Sequence, residues 1–272
     1  MNAKEAPAKW YKTAGKIGLI AKGIVYCLSG AIALSAALHL GNSDADDAGK
    51  KGVFSFLQHQ PSGKWLLLVL AVGLICYIIW RWIQAFMDTE NKGKDTKGLG
   101  KRFSYFWSGL LYAGACIYAF KLFLGANNEK KSNNSSMQKL LSHGWGEIVL
   151  YGIALFMIGT GLFQIYRVVS GKYKKYVQGA LHNDSAPWII TAGVCGYIAR
   201  GIVWMILGWL FIKAAKHSNE NEAGGSDKAF TWLQDSAYGS VLLAVVAAGL
   251  ICYGLFMFLR ARYQRINIQQ GK

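Results

Sequence analysis

Apolar and polar stretches alternate along the chain at a spacing that suits a membrane. Apolar runs occupy 17–40, 64–86, 103–124, 146–169, 189–212 and 239–260, each close to the roughly 20 residues with which a helix crosses a bilayer. The segments between them, HLGNSDADDAGKKG, DTENKGKDTKGLGK, GANNEKKSNNSS, SGKYKKYVQGALHNDS and KHSNENEAGGSDK, are rich in Gly, Asn, Ser and Asp and read as loops. The pattern predicts an all-α integral membrane protein, with six transmembrane helices in a single membrane domain over 1–272. Six crossings return the chain to the side on which it starts.

The runs are related to one another. The first helix of each pair reads GLIAKGIVYCLSG at 18–30, SYFWSGLLYAGAC at 104–116 and GYIARGIVWMILG at 196–208. This superposes Gly23, Gly109 and Gly201, and likewise Tyr26, Tyr112 and Trp204. In the second helices GLICY at 73–77 recurs letter for letter at 249–253, and Gly159 is expected at the corresponding place in the middle copy. A short semi-apolar connector precedes each second helix: FSFLQHQPSG at 54–63, MQKLLSHGWG at 137–146 and FTWLQDSAYG at 230–239. One unit is therefore made three times, as repeat one at 10–90, repeat two at 100–174 and repeat three at 188–266. Each unit crosses twice, so the copies insert in the same direction. They are expected to stand as three parallel two-helix repeats around a pseudo-three-fold axis along the membrane normal.

Charge then orients the bundle. Only 16% of residues are charged, yet the net charge is +16. Cations gather on the flanks that share a side with the termini, among them Lys12 and Lys16, Lys101 and Arg102, Lys172 and Lys174, and Arg260 and Arg262. The opposite loops mix lysines with Asp44, Asp46, Asp47, Glu220, Glu222 and Asp227 and are close to neutral. Lysine and arginine in short loops stay cytoplasmic, so both termini are expected inside (N-in, C-in). Lys4 to Lys16 followed by an apolar run has the outline of a signal peptide, but the run exceeds the ~7–15 residues of an h-region and is one copy of the repeat. A retained helix is expected. Basic residues set between apolar blocks offer no solvated face with stacking aromatics, which argues against nucleic acid as a partner. Membrane lipids are the expected partners, with anionic headgroups on the cytoplasmic face. The five cysteines lie inside apolar segments without C-x-x-C spacing and are expected to pack as small hydrophobes.

GYIARGIVWMILGWLFIKAA at 196–215 and its echo GLIAKGIVYCLSGAIALSAA at 18–37 resemble the opening helix of the bacterial membrane family called domain of unknown function 1206. PSGKWLLLVLAVGLICY at 61–77 resembles the closing half of its unit. The middle copy departs, with Ser104 and Ser108 where glycine and a cation are expected. The resemblance implies a six-span protein of the bacterial inner membrane and implies no activity.

Lys22 and Arg200 occupy matching positions within apolar helix, and an intramembrane cation is a functional candidate because burying it is costly. Both sit toward the cytoplasmic leaflet, from which a long side chain can also snorkel to the headgroups. Tyr26 and Trp204 stand four residues on, where a ring is within reach of the cation. Lys22, Arg200, Tyr26, Tyr112, Trp204 and Ser108 are thus the candidates for a ligand, lipid or pathway site. Gly23, Gly30, Gly73, Gly109, Gly159, Gly201, Gly208 and Gly249 are expected to let helices approach. Trp65, Trp80, Trp82, Trp107, Trp145, Trp188 and Trp209 fall near helix ends, where an interfacial belt is expected. The outer-side histidines His39, His59, His143 and His217 do not correspond between repeats, so no metal or cofactor is expected. No hydrolase, phosphate-binding or dinucleotide motif occurs, and no enzyme activity is expected.

The reading that follows is a channel or facilitator for a small solute along the repeat axis, with a preference for anions because no ring of Asp or Glu attracts cations. The alternative is a non-transporting membrane scaffold or anionic-lipid-binding protein. A reporter fused after Lys272 is expected on the cytoplasmic side, and an extracytoplasmic signal from that fusion overturns the orientation.

Overall fold

A computed structural model describes residues 6–40, 44–89, 93, 95–125, 145–180, 186–217 and 225–264. Regular structure among the described residues is helical: α1 (Ala6–Ala37), α2 (Lys50–Gln58), α3 (Gly63–Phe86), α4 (Thr96–Phe123), α5 (Gly146–Val169), α6 (Ala186–His217), α7 (Ser226–Gln234) and α8 (Gly239–Tyr263), with 3-10 segments at Ala45–Ala48 and Lys172–Ala180. Six of these, α1, α3, α4, α5, α6 and α8, are long and apolar enough to cross a membrane. α1 and α4 begin well before their apolar runs. Pro187 in the first turn of α6 suits a position whose N–H has no helical partner. Asp95 caps α4 by accepting from the Gly98 N–H at 3.2 Å, and Arg102 donates to the Ala85 and Phe86 carbonyls at the end of α3 at 2.7 and 2.9 Å. The first and third connectors become α2 and α7; residues 137–144 of the middle one lie outside the described residues.

The bundle is apolar outside. Val69, Val72, Ile75 and Ile79 of α3, Leu155 and Leu162 of α5, and Val241 and Val245 of α8 are exposed, whereas Lys22, Gln84, Gln164 and Arg260 are buried. An apolar surface around a polar interior is stable only where the surroundings are lipid.

The most extensive helix contacts join different repeats: α1 lies along α8, α4 along α3 and α6 along α5. Small residues make this possible. A Cβ on Gly30 would sit 2.7 Å from the Ala247 carbonyl oxygen, and one on Gly208 2.9 Å from that of Ala154. Gly23 faces Gly254 and Phe258, Gly201 faces Gly161 and Ile165, and Gly109 lies under the Trp82 indole.

Within repeats, α1 packs on α3 and α6 on α8, where Gly73 meets the Ala21 methyl and Gly249 meets that of Ala199. The middle repeat differs. Among the described residues α4 and α5 share no extended interface; Trp107 and Phe156 meet edge to face, their centroids 5.1 Å apart. Counted from the glycines that open the second helices, Gly63, Gly146 and Gly239, Phe156 occupies the place of Gly73 and Gly249. Trp107 likewise occupies the place of Ala21 and Ala199. Gly159 is not the counterpart: nothing lies within 4 Å of where its Cβ would be. Two small residues that let helices touch are replaced by two aromatic rings that hold them apart.

A Cβ on Gly196 would come 2.5 Å from the Tyr253 Cα, so the backbone has to move to admit it. Gly196→Ala is expected to destabilise the fold by about 1–3 kcal/mol, whereas Gly159→Ala is expected to be neutral or stabilising by up to about 1 kcal/mol. Thermal unfolding of the purified variants in detergent checks the contrast; equal midpoints for the two would refute this packing account.

Candidate functional site

Two close approaches build the interior. Gly18 lets α3 come against α1 at Tyr77, and Gly196 lets α8 come against α6 at Tyr253. Four residues on, one turn along the same face, each first helix carries a cation, Lys22 or Arg200. Lys22 Nζ donates to the Tyr77 hydroxyl at 3.2 Å, and Arg200 Nη1 donates to the Tyr253 hydroxyl. The tyrosine of each GLICY motif is thus the partner of the cation in the helix before it.

The two sites are joined. Lys22 Nζ lies 5.0 Å from the ring centres of both Tyr77 and Tyr112, 5.7 Å from Tyr253 and 6.0 Å from Tyr26. The Arg200 guanidinium lies over Tyr253 and Tyr26 at 5.0 and 5.4 Å, so it shares both rings with Lys22. Tyr112 donates to the Tyr26 hydroxyl at 3.4 Å. Arg81 Nε donates to the Tyr77 hydroxyl at 2.9 Å. With both lone pairs of that oxygen taken by Lys22 and Arg81, its proton goes to Ser108 Oγ, 3.2 Å away. Ser108, which replaces the cation in the middle copy, is therefore an acceptor inside the same network.

More cations extend it in both directions. Lys50, at the start of α2, lies 4.6 Å from the Tyr112 ring centre. Toward the end that carries the termini, Arg81 lies over Trp80 and Tyr105, Arg167 donates to the Tyr197 hydroxyl at 3.5 Å, and Arg260 lies 4.0 Å from the ring centre of Tyr176. The partners of Lys22, Lys50, Arg81 and Arg200 among the described residues are hydroxyls, rings and the Gln84 amide, with no carboxylate. A desolvated cation–ring contact contributes up to about 2 kcal/mol, whereas taking one ion out of water costs several kcal/mol. The tyrosines offset the burial of these charges but leave them unneutralised. Polar atoms remain open as well: Arg200 Nε, Gln164 Nε2 and Gln164 Oε1 are buried with no partner among the described residues.

The family described as Domain of Unknown Function (DUF1206) matches residues 17–88, 103–171 and 195–264, three tandem segments. The chain belongs to this family. It is 28% identical over 265 residues to an uncharacterised protein, YxxB, of Bacillus subtilis (strain 168), an alignment covering 97% of this chain and 95% of the relative. No solved structure matches. In this DUF1206 chain the sequence candidates Lys22, Arg200, Tyr26, Tyr112 and Ser108 come together, while Trp204 packs half-buried at the edge of the core and the ring over Arg200 comes from Tyr26 instead.

Sequence reasoning missed Tyr77 and Tyr253, although the repeated GLICY ended on them, and Lys50, Arg81, Arg167 and Arg260, whose charge it weighed only for orientation. Hydropathy gives the height of a residue on a helix, not the side it faces. The same limit explains Trp80, Trp82 and Trp107, expected in the interfacial belt: their indole nitrogens are buried, whereas Trp65, Trp145, Trp188 and Trp209 are exposed. No group of metal-ligating side chains occurs among the described residues; His143 lies outside them, as does the side chain of His217.

Burial holds the Lys50 ammonium below the usual lysine range, with Tyr26 opposing the shift and Arg200 adding to it. A lysine whose folded-state value is depressed binds fewer protons folded than unfolded, so its share of stability rises with pH through that window. The stability of wild type relative to Lys50→Met is therefore expected to increase as pH rises toward the ordinary lysine value of about 10.4. Thermal midpoints of both proteins across that range give the sign; a difference independent of pH would contradict burial of the charge.

Proposed function

We propose that the chain is a bacterial inner-membrane protein with both termini cytoplasmic, whose three repeats surround an axis that binds and passes a small anionic solute. The ring is supported by the contact order, because the first helix of every copy lies against the second helix of another: α4 on α3, α6 on α5 and α1 on α8. The observation that carries the anion reading is that Lys22 and Arg200, on different helices, share the rings of Tyr26 and Tyr253 in a buried interior. Their partners among the described residues include no carboxylate. An anion entering that space neutralises charge that the protein leaves open, and tyrosine hydroxyls add donors around it.

Lys50 on one side and Arg81 and Arg167 on the other continue the same chemistry along the axis, in the manner of a pore lined for anions. Tyr26, Tyr77, Tyr112 and Tyr253 are all buried, so the rings close the axis as it stands. Passage requires them, or α2 above them, to move aside.

Proteoliposomes loaded separately with chloride, nitrate or inorganic phosphate test the reading. Wild type is expected to release at least one of these about tenfold faster than empty liposomes, and Lys22→Met/Arg200→Leu to fall to the empty-liposome rate. Release equal to that of empty liposomes for all three anions would leave a packed, non-conducting bundle.

A further inference from the structure

Both ends of the interior are covered. α2 and α7 fold back into one end, with Val53, Phe54, Ala229 and Phe230 buried there. They touch through Gly49 against Asp227 and through the Lys50 N–H on Ser226 Oγ at 3.3 Å. At the other end the 172–180 segment packs across the helices, with Tyr173 and Val177 buried and Tyr176 under Arg260. The side toward the lipid is different. α4 and α5 are the least enclosed of the six spans, and among the described residues the Trp107–Phe156 contact stands where the other repeats close on glycine and alanine.

Where α5 meets α6, buried polar atoms stand without partners among the described residues. The Gln164 side chain is only 4% exposed, and neither its nitrogen nor its oxygen is hydrogen-bonded. It packs against Gly201, the residue after Arg200, whose Nε also has no partner among the described residues. A guanidinium edge and an amide offer donors to a group with several acceptor oxygens, and a phosphate is such a group.

We propose that the α4–α5 opening admits an anionic membrane lipid, its phosphate held by Arg200 and Gln164 and its acyl chains lying between the two helices. The proposal rests on the anion reading above and adds its source, which is the bilayer and not the aqueous phase. Charge complementarity selects the occupant. The opening borders hydrocarbon, which a free anion does not cross unaided, while its inner end carries uncompensated positive charge. A phospholipid matches both parts at once.

The test places the full chain in nanodiscs of equal parts phosphatidylcholine and phosphatidylglycerol and counts retained lipid by native mass spectrometry. A parallel titration of tryptophan fluorescence uses inorganic phosphate. Phosphatidylglycerol is expected to be retained about tenfold over phosphatidylcholine, and Trp107→Ala/Phe156→Gly, which restores the small pair of the other repeats and closes the opening, is expected to abolish that preference while leaving phosphate titration intact. Should the double variant not be recovered folded, Gln164→Leu is expected to lower the preference at least fivefold with the opening intact. Phosphate binding without lipid preference would overturn the lipid proposal and spare the anion reading. Absence of both overturns both. Lipid preference unchanged in either variant would assign the lipid to the basic surface, and a dimer without retained lipid would assign the opening to a second copy; each outcome refutes the proposal.

Discussion

Positive charge inside a low-dielectric bundle, with no carboxylate among the described residues to answer it, is the constraint around which this molecule is arranged. Lys22 and Arg200 are tolerable there because tyrosine supplies two things at once: an apolar ring that packs at helix interfaces and a hydroxyl that accepts from a cation. The ring alone falls short of the cost of desolvation. The small residues follow from that requirement, since Tyr77 and Tyr253 reach the cations only because Gly18 and Gly196 let backbones approach. Covering segments lie over the interior at its two ends, where Val53 and Phe54 on one side and Tyr173 and Val177 on the other are buried.

Triplication built the framework, and divergence in one copy gave it a direction. The middle repeat has serine where the others have a cation, and tryptophan and phenylalanine where they have alanine and glycine. Each change removes something symmetric: Ser108 accepts from Tyr77 where a cation would donate, and Trp107 with Phe156 separates α4 from α5 where small residues would join them. A bundle of three identical copies would pack shut on every side. The departures place an acceptor, Ser108, within a cluster of donors and leave α4 and α5 without an extended interface among the described residues.

Much of the architecture was legible because lipid imposes a simple rule on sequence: spans must be apolar and about as long as the bilayer is thick. The repeat followed from self-similarity, with Gly23, Gly109 and Gly201 as its markers. The register of the middle second helix was not legible. Gly159 is a glycine at a plausible spacing, but the glycine that packs is Gly161, and the counterpart of Gly73 is Phe156. Helices that differ by one turn in register are nearly equal in hydropathy, so only contacts distinguish them.

The sequence by itself determined the six apolar spans, their triplication and the matching positions of Lys22 and Arg200 within them, because composition and periodicity are properties of single segments. The tertiary structure decided which side chains meet. It matched the GLICY tyrosines with the cations of neighbouring helices and brought Lys50, from a segment that reads as loop, and Arg81 and Arg167, from the ends of apolar runs, into the interior network. It also left α4 and α5 apart. These outcomes depend on the rotation of each helix about its axis, which is set by where glycine, alanine and the large rings meet across an interface, and no single helix carries that information.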